Sequence, residues 1–122
     1  DADTIINWSK RINLEGNKIP IIIGLPGIAK LSTLLKYSLS CGIGNSVNFL
    51  KKQGSNVLNL VRTQEPNDLV RKLSNSEKAL KENNIVGVHI YPLGGIRKSS
   101  DWANAIMDEK IKLTPNGFNV CY

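Results

Sequence analysis

Histidine, cysteine and methionine are nearly missing from this sequence: 122 residues carry one His, two Cys and one Met. A protein metal centre needs several His, Cys or carboxylate ligands that converge, and zinc motifs need closely spaced ligand pairs. Cys41 and Cys121 form one pair at long spacing, which suits neither a zinc motif nor a disulfide framework. No metal is therefore expected, and a reduced, cytoplasmic setting is the default expectation. A serine triad needs a histidine beside an exposed serine and a carboxylate. His89 falls in the middle of a strand-like run, where a lone histidine is expected to be a hydrogen-bonded core residue. Asp101, Asp108 and Glu109 read as helix-face charges, and no carboxylate pair stands out as an acid–base couple. No catalytic side chain is expected from this chain.

Long hydrophobic runs are also absent. The longest purely aliphatic stretch, Ile21-Ile22-Ile23, is far below the roughly 18 apolar residues that a membrane span needs. Nor is there an apolar leader at the start. Charge is not of one sign: Lys plus Arg is 16 and Asp plus Glu is 10, a net +6. The basic residues are short, scattered pairs such as Lys10-Arg11, Lys51-Lys52, Arg71-Lys72 and Arg97-Lys98. None is interleaved with aromatics as single-strand binders require, so nucleic acid is not the expected partner. The sequence opens on Asp1 and its only methionine is Met107, which reads as a piece of a longer chain.

What is present is ordinary for a globular domain: 41% apolar and 21% charged residues. Helical and strand signals alternate. Asp3 is a candidate N-cap for a helix with Ile5, Trp8 and Ile12 at helical spacing, stopped by Gly16-Asn17. Ile21 to Leu25, between Pro20 and Pro26, is a continuous β-branched run of the kind that is buried on both faces in a parallel sheet. Ser32 is a candidate cap for a helix with Leu34, Leu35 and Leu39, closed by Gly42. Gly42-Ile43-Gly44 follows a helix and lacks the third glycine of a dinucleotide fingerprint, so it reads as a helix stop. Short helices are expected from Ser46 and over residues 56–63. Another starts at Pro66 with Leu69, Val70 and Leu73, breaks near Ser74-Asn75 and continues through Leu80. Ile85 to Tyr91 is the second strand. Ser99 or Ser100 is the candidate cap of a last helix with Trp102, Ala105 and Ile106. Residues 114–122 read as a loop or docked tail.

That order belongs to α/β architecture with parallel strands joined by helices. Two strands can neither shield a sheet nor close a barrel, so further strands are expected from elsewhere. The most suggestive local feature is Tyr91-Pro92-Leu93-Gly94-Gly95-Ile96-Arg97-Lys98-Ser99-Ser100, which leaves a strand and opens a helix. Its glycines permit close backbone approach, and its cations and hydroxyls stand at a helix start, where anions are favoured. In (β/α)8 barrels such strand-end loops build the active site. Leu25-Pro26-Gly27-Ile28 is the equivalent turn after the first strand.

Two stretches resemble the methylenetetrahydrofolate reductase family. Pro20-Ile-Ile-Ile-Gly-Leu-Pro-Gly-Ile28 is similar to the family's seventh strand and its Pro-Gly-Ile turn. Gly87-Val-His-Ile-Tyr91-Pro-Leu-Gly-Gly95 is similar to the eighth strand, where a His-x-Tyr element precedes the last active-site loop. The similarity covers residues 1 to 107. It implies the C-terminal portion of a (β/α)8 barrel, incomplete here, over residues 1–113, with 114–122 as a tail. It implies part of an oxidoreductase of one-carbon metabolism, in which NAD(P)H reduces FAD and FAD reduces 5,10-methylenetetrahydrofolate. A folate-type molecule would be the substrate, with the remaining strands supplied by the longer chain or a partner and a homo-oligomer left open. Carried over onto a matching position, the resemblance puts Tyr91 at the ligand pocket, and Leu93, Gly94 and Gly95 of the strand-end loop after it are candidate pocket residues with it. The sequence departs from the family at three places. Lys36 stands where the family carries a folate-contacting glutamine, Ser40 where it carries an aromatic ring, and Gly95 where it carries an arginine, with Arg97 two residues later as a substitute. Most FAD-binding positions and the catalytic glutamate belong to earlier strands of the family, so this chain alone is expected to be inactive. From the residues alone, a non-catalytic ligand- or anion-binding barrel module or partner subunit is the alternative.

Overall fold

The structure, a computed structural model, describes residues 1–42 and 60–122. Helix α1 (Ala2–Leu14) leads into strand β1 (Ile21–Pro26), a short strand β2 (Ala29–Lys30) and helix α2 (Leu31–Ser40). Strand β3 (Thr63–Gln64) precedes helices α3 (Asn67–Asn75) and α4 (Glu77–Glu82) and strand β4 (Ile85–Tyr91). Helix α5 (Ile96–Met107) and a hairpin of β5 (Ile111–Leu113) and β6 (Phe118–Val120) complete the chain. The fold mixes helix and strand, and no sheet closes on itself among the described residues. The helix expected from Ser46 lies at residues outside those described; of the one expected over 56–63, residues 60–63 are described, and there Leu60 is helical while Thr63 is strand.

Strands β1 and β4 pair in parallel, from Ile21 opposite Ile85 to Pro26 opposite Tyr91, with a bulge between Ile21 and Ile22. A parallel pair needs a crossover between its strands, and here that crossover contains α2, α3 and α4. Partners across the ladder share a face. One face carries Ile23, Leu25, Val88 and Ile90, and the other carries Ile22, Gly24, Pro26, Gly87, His89 and Tyr91. Burial follows this division at β1, where Leu25 is 1% exposed and Ile22 63% exposed, while Val88 of the first face is 54% exposed. Of the two faces expected to be buried, helices cover one among the described residues, and the other is open. His89 is likewise exposed and not a core residue.

The covered face forms two contiguous clusters. Ala2, Ile23, Leu25, Leu73 and Ile85 make the first, with Ile5, Leu69, Val70 and Leu80 packed on it. Ile28, Trp102 and Phe118 make the second, bridged to the first through Val70 and Ile90. Burying a side chain of this size contributes about 1.5–3 kcal/mol. Asn67 holds the second cluster together. Its Oδ1 accepts from Trp102 Nε1 at 2.8 Å, and its Nδ2 donates to the Phe118 carbonyl at 3.0 Å and to Glu65 Oε2 at 2.7 Å. Asn83 does the same for α1, donating to Ser9 Oγ at 3.1 Å.

Helix starts differ from the sequence reading at three places. Asp1, not Asp3, caps α1: its Oδ1 accepts from the Thr4 amide at 2.9 Å. Lys30 occupies the N-cap of α2, so Ser32 lies inside the first turn. Gly95 caps α5 at φ +115°, a backbone state that L side chains rarely adopt. It therefore starts the helix one turn before Ser99 and buries that serine. Of the two readings of the 114–122 tail, a loop or a docked tail, the structure has the docked one, with Phe118 buried and β6 paired antiparallel with β5. Gly16, at φ +98°, ends α1 as expected.

Candidate functional site

Parallel pairing puts the C-terminal ends of β1 and β4 side by side, so the two loops that leave them meet. Gly94 makes that meeting possible. A Cβ there would lie 2.7 Å from Ala29 Cα and collide with the Ile28 carbonyl oxygen. Gly27 is equally confined, because a Cβ would meet the Ser99 hydroxyl and lie 3.0 Å from the Tyr91 carbonyl oxygen. The Gly27 amide donates to that carbonyl at 2.8 Å, extending the parallel pairing by one bond. Glycine is thus required twice where the strand-end loops interlock.

Two surfaces result. The first is a cavity of about 260 Å³ lined by Lys30, Thr33, Thr63, Leu93, Gly94 and Lys98, with Ile28 and Ala29 as its floor. Thr63 arrives through the β2–β3 pair, in which Lys30 lies opposite Thr63. The second surface is the open face of β1 and β4. The Tyr91 ring lies over Gly24, where a Cβ would stand 2.6 Å from Tyr91 Cε2. His89 meets the same ring edge-on, with centroids 4.7 Å apart. The result is a flat corner of glycine backbone beside an aromatic ring and an imidazole. A separate apolar cleft of about 210 Å³ runs along β4 between Leu73, Leu80, Ile85 and Val88.

Of the residues expected at a ligand pocket, Leu93 and Gly94 line the cavity. Tyr91 belongs to the open face instead. Gly95 acts through its backbone as the cap of α5. Arg97 is exposed in the first turn of α5 and is not among the cavity's lining residues. Lys36 and Ser40 lie farther along α2, both exposed, with Ser40 Oγ donating to the Lys36 carbonyl at 3.1 Å. Neither lines the cavity. Lys30, Thr33 and Thr63 were not legible as site residues, because they come from segments that meet only in space. The signal that could have pointed to them is the pair of confined glycines, Gly27 and Gly94, which marks where the loops touch.

Among the described residues no group of three His, Cys, Asp or Glu is placed to hold a metal ion. No helix among them is long and apolar enough to cross a membrane. Cys41 and Cys121 are both exposed free thiols. Among the described residues the one strongly displaced ionisation is that of Tyr122, pushed up to about 12 by partial desolvation of its hydroxyl and by the adjacent Glu65 carboxylate, with Asp101 adding to it, although the side chain as a whole is exposed. Its hydroxyl donates to Glu65 Oε1 at 3.3 Å. Glu77 is held below the usual carboxylate range by Lys81, 2.6 Å away on the surface of α4. Both groups lie away from the cavity and the open face. No protein-family model matches this chain.

Proposed function

We propose that this chain supplies the closing βα units of a (β/α)8 barrel in a cytoplasmic, flavin-dependent oxidoreductase of one-carbon metabolism, similar to methylenetetrahydrofolate reductases. The observation that carries this reading is the register of β1 and β4. It brings the two stretches that resemble the family's last strands together as neighbours, with Pro26 opposite Tyr91 and both loops at one end. In such barrels the strand-end loops on that side form the active site. The exposed face of β1 and β4 would turn toward the barrel interior, and the remaining strands would come from the longer polypeptide or a partner.

The residues present fit one wall of a site for a planar ring. Gly24 and Gly87 leave the face without side chains, and Tyr91 offers a half-exposed aromatic surface. FAD, when bound, would supply the hydride-carrying ring. Tyr91 would bind and orient a planar ligand by contact with its face, as aromatic pairs do. His89 would steady the Tyr91 ring through its edge-on contact. Ile22 and Pro26 would exclude water from the same wall. With no acid, base or nucleophile assigned in this chain, its part would be positioning. The test is product formation by the longer protein: NAD(P)H and 5,10-methylenetetrahydrofolate should yield 5-methyltetrahydrofolate. Oxidation of NAD(P)H with no change in the folate would refute the substrate assignment.

A further inference from the structure

We propose that the cavity where the two strand-end loops interlock is an oxyanion site that takes a phosphoryl group. The cavity holds about 260 Å³, several times the ~30 Å³ share of one water molecule. It therefore has room for a phosphate and part of its hydration shell. Its polar lining is of one character. Two lysines, Lys30 and Lys98, and two threonines, Thr33 and Thr63, are among the lining residues, and no Asp or Glu is. Among the described residues neither lysine has an acidic partner within ion-pair distance, whereas Lys78, Lys81 and Lys110 all do. Two like charges held at one cavity repel each other, and an anion between them removes that repulsion.

The walls are built and not incidental. The four polar residues come from four elements: β2, the first turn of α2, β3 and the first turn of α5. Backbone pairing fixes the first and third, since Lys30 pairs with Thr63 and the Leu31 amide donates to the Arg62 carbonyl at 3.2 Å. Gly94 brings the fourth element close through a contact that no other residue permits. Donors that surround a volume suit a tetrahedral group with three or four acceptor oxygens better than a planar carboxylate, which is best met by a fork in one plane.

The site stands apart from the oxidoreductase reading, because it needs no flavin and is complete in the described residues. The test is titration of this chain with inorganic phosphate at low ionic strength, followed by calorimetry or ³¹P line width. Saturable binding is expected in the millimolar range. The double variant Lys30→Ala/Lys98→Ala should weaken it by about tenfold or more, as expected for loss of charged hydrogen bonds. A control with the same charge loss elsewhere, Lys10→Ala/Lys112→Ala, should change it less than about twofold, the size of general screening. Lys98→Gln alone, a mild surface change, should weaken binding severalfold and guards against misfolding of the double variant. Equal weakening by the control, or no saturation with phosphate, would overturn the proposal. Acetate displacing phosphate at equal concentration would overturn the phosphoryl assignment.

Discussion

The two faces of the β1–β4 pair come from the same thirteen residues of strand and have opposite fates. One face carries Ile23, Leu25 and Ile90 into a core closed by α1, α3 and α5. The other carries Ile22, Gly24, His89 and Tyr91 into the open. Apolar residues on an uncovered face indicate a surface meant for contact. Ile22 at 63% exposure fits that description, whereas a solvated face alternates toward polar residues. The difference teaches that composition assigned these segments to a doubly covered sheet, while the described chain provides only one cover.

Substitution at the two faces should separate them most sharply. Leu25→Ala removes a fully buried side chain and should cost about 3 kcal/mol in denaturant unfolding. Ile22→Asn on the open face should change the stability of this chain by less than about 0.5 kcal/mol. In the longer protein the same Ile22→Asn change should cost clearly more, because the barrel reading buries that face. Equal, small effects in both settings would leave the open face a solvent surface.

The join between the clusters on the covered side comes next. Asn67→Ala leaves the buried Trp102 Nε1 and the Phe118 carbonyl without their partner and should cost about 2 kcal/mol. Loss of a protected Trp102 indole in hydrogen exchange would accompany it; an unchanged midpoint would remove Asn67 from the framework. On the open face, Gly24→Ala places a methyl group against the Tyr91 ring. Stability of this chain should fall by about 1 kcal/mol or less, since the ring can swing outward. In the longer protein, both Gly24→Ala and Tyr91→Ala should weaken flavin or folate binding, and more than Lys98→Ala does. Equal, negligible effects would take Tyr91 out of the ligand wall.

The smallest effect is set by pH. The Tyr122 phenol titrates higher folded, at about 12, than its ordinary 10, so between those values the unfolded chain binds fewer protons. Stability linked to the neutral phenol is therefore present below pH 10 and declines as pH rises toward 12. Thermal unfolding should show this alkaline decline in the native chain and a shallower one in Tyr122→Phe. Identical slopes would mean that the Glu65 contact does not hold in solution.

The strands were legible because a continuous β-branched run between prolines leaves few other conformations, and β4 follows the same logic through Val86, Val88 and Ile90. The break between α3 and α4 falls at Ser76, next to the expected Ser74-Asn75. Helix starts were less legible, since Gly95 sets the start of α5 by a backbone angle that a serine-cap pattern does not encode. The β2–β3 and β5–β6 pairs are two and three residues long, too short for any period to register. Leu93, Gly94 and Lys98 of the cavity lie in the loop that the sequence singles out. Lys30, Thr33 and Thr63 join them through a long-range pairing that no local pattern reveals. Lys36 and Ser40 were drawn from positions in a resemblance and lie outside that cavity.

The barrel reading is tested most directly by the visible absorption spectrum of the longer protein, purified without added cofactor. An oxidised-flavin spectrum is expected, bleaching with NAD(P)H and returning when 5,10-methylenetetrahydrofolate is added. A protein that is colourless, and stays so after incubation with FAD, would contradict the flavoenzyme assignment.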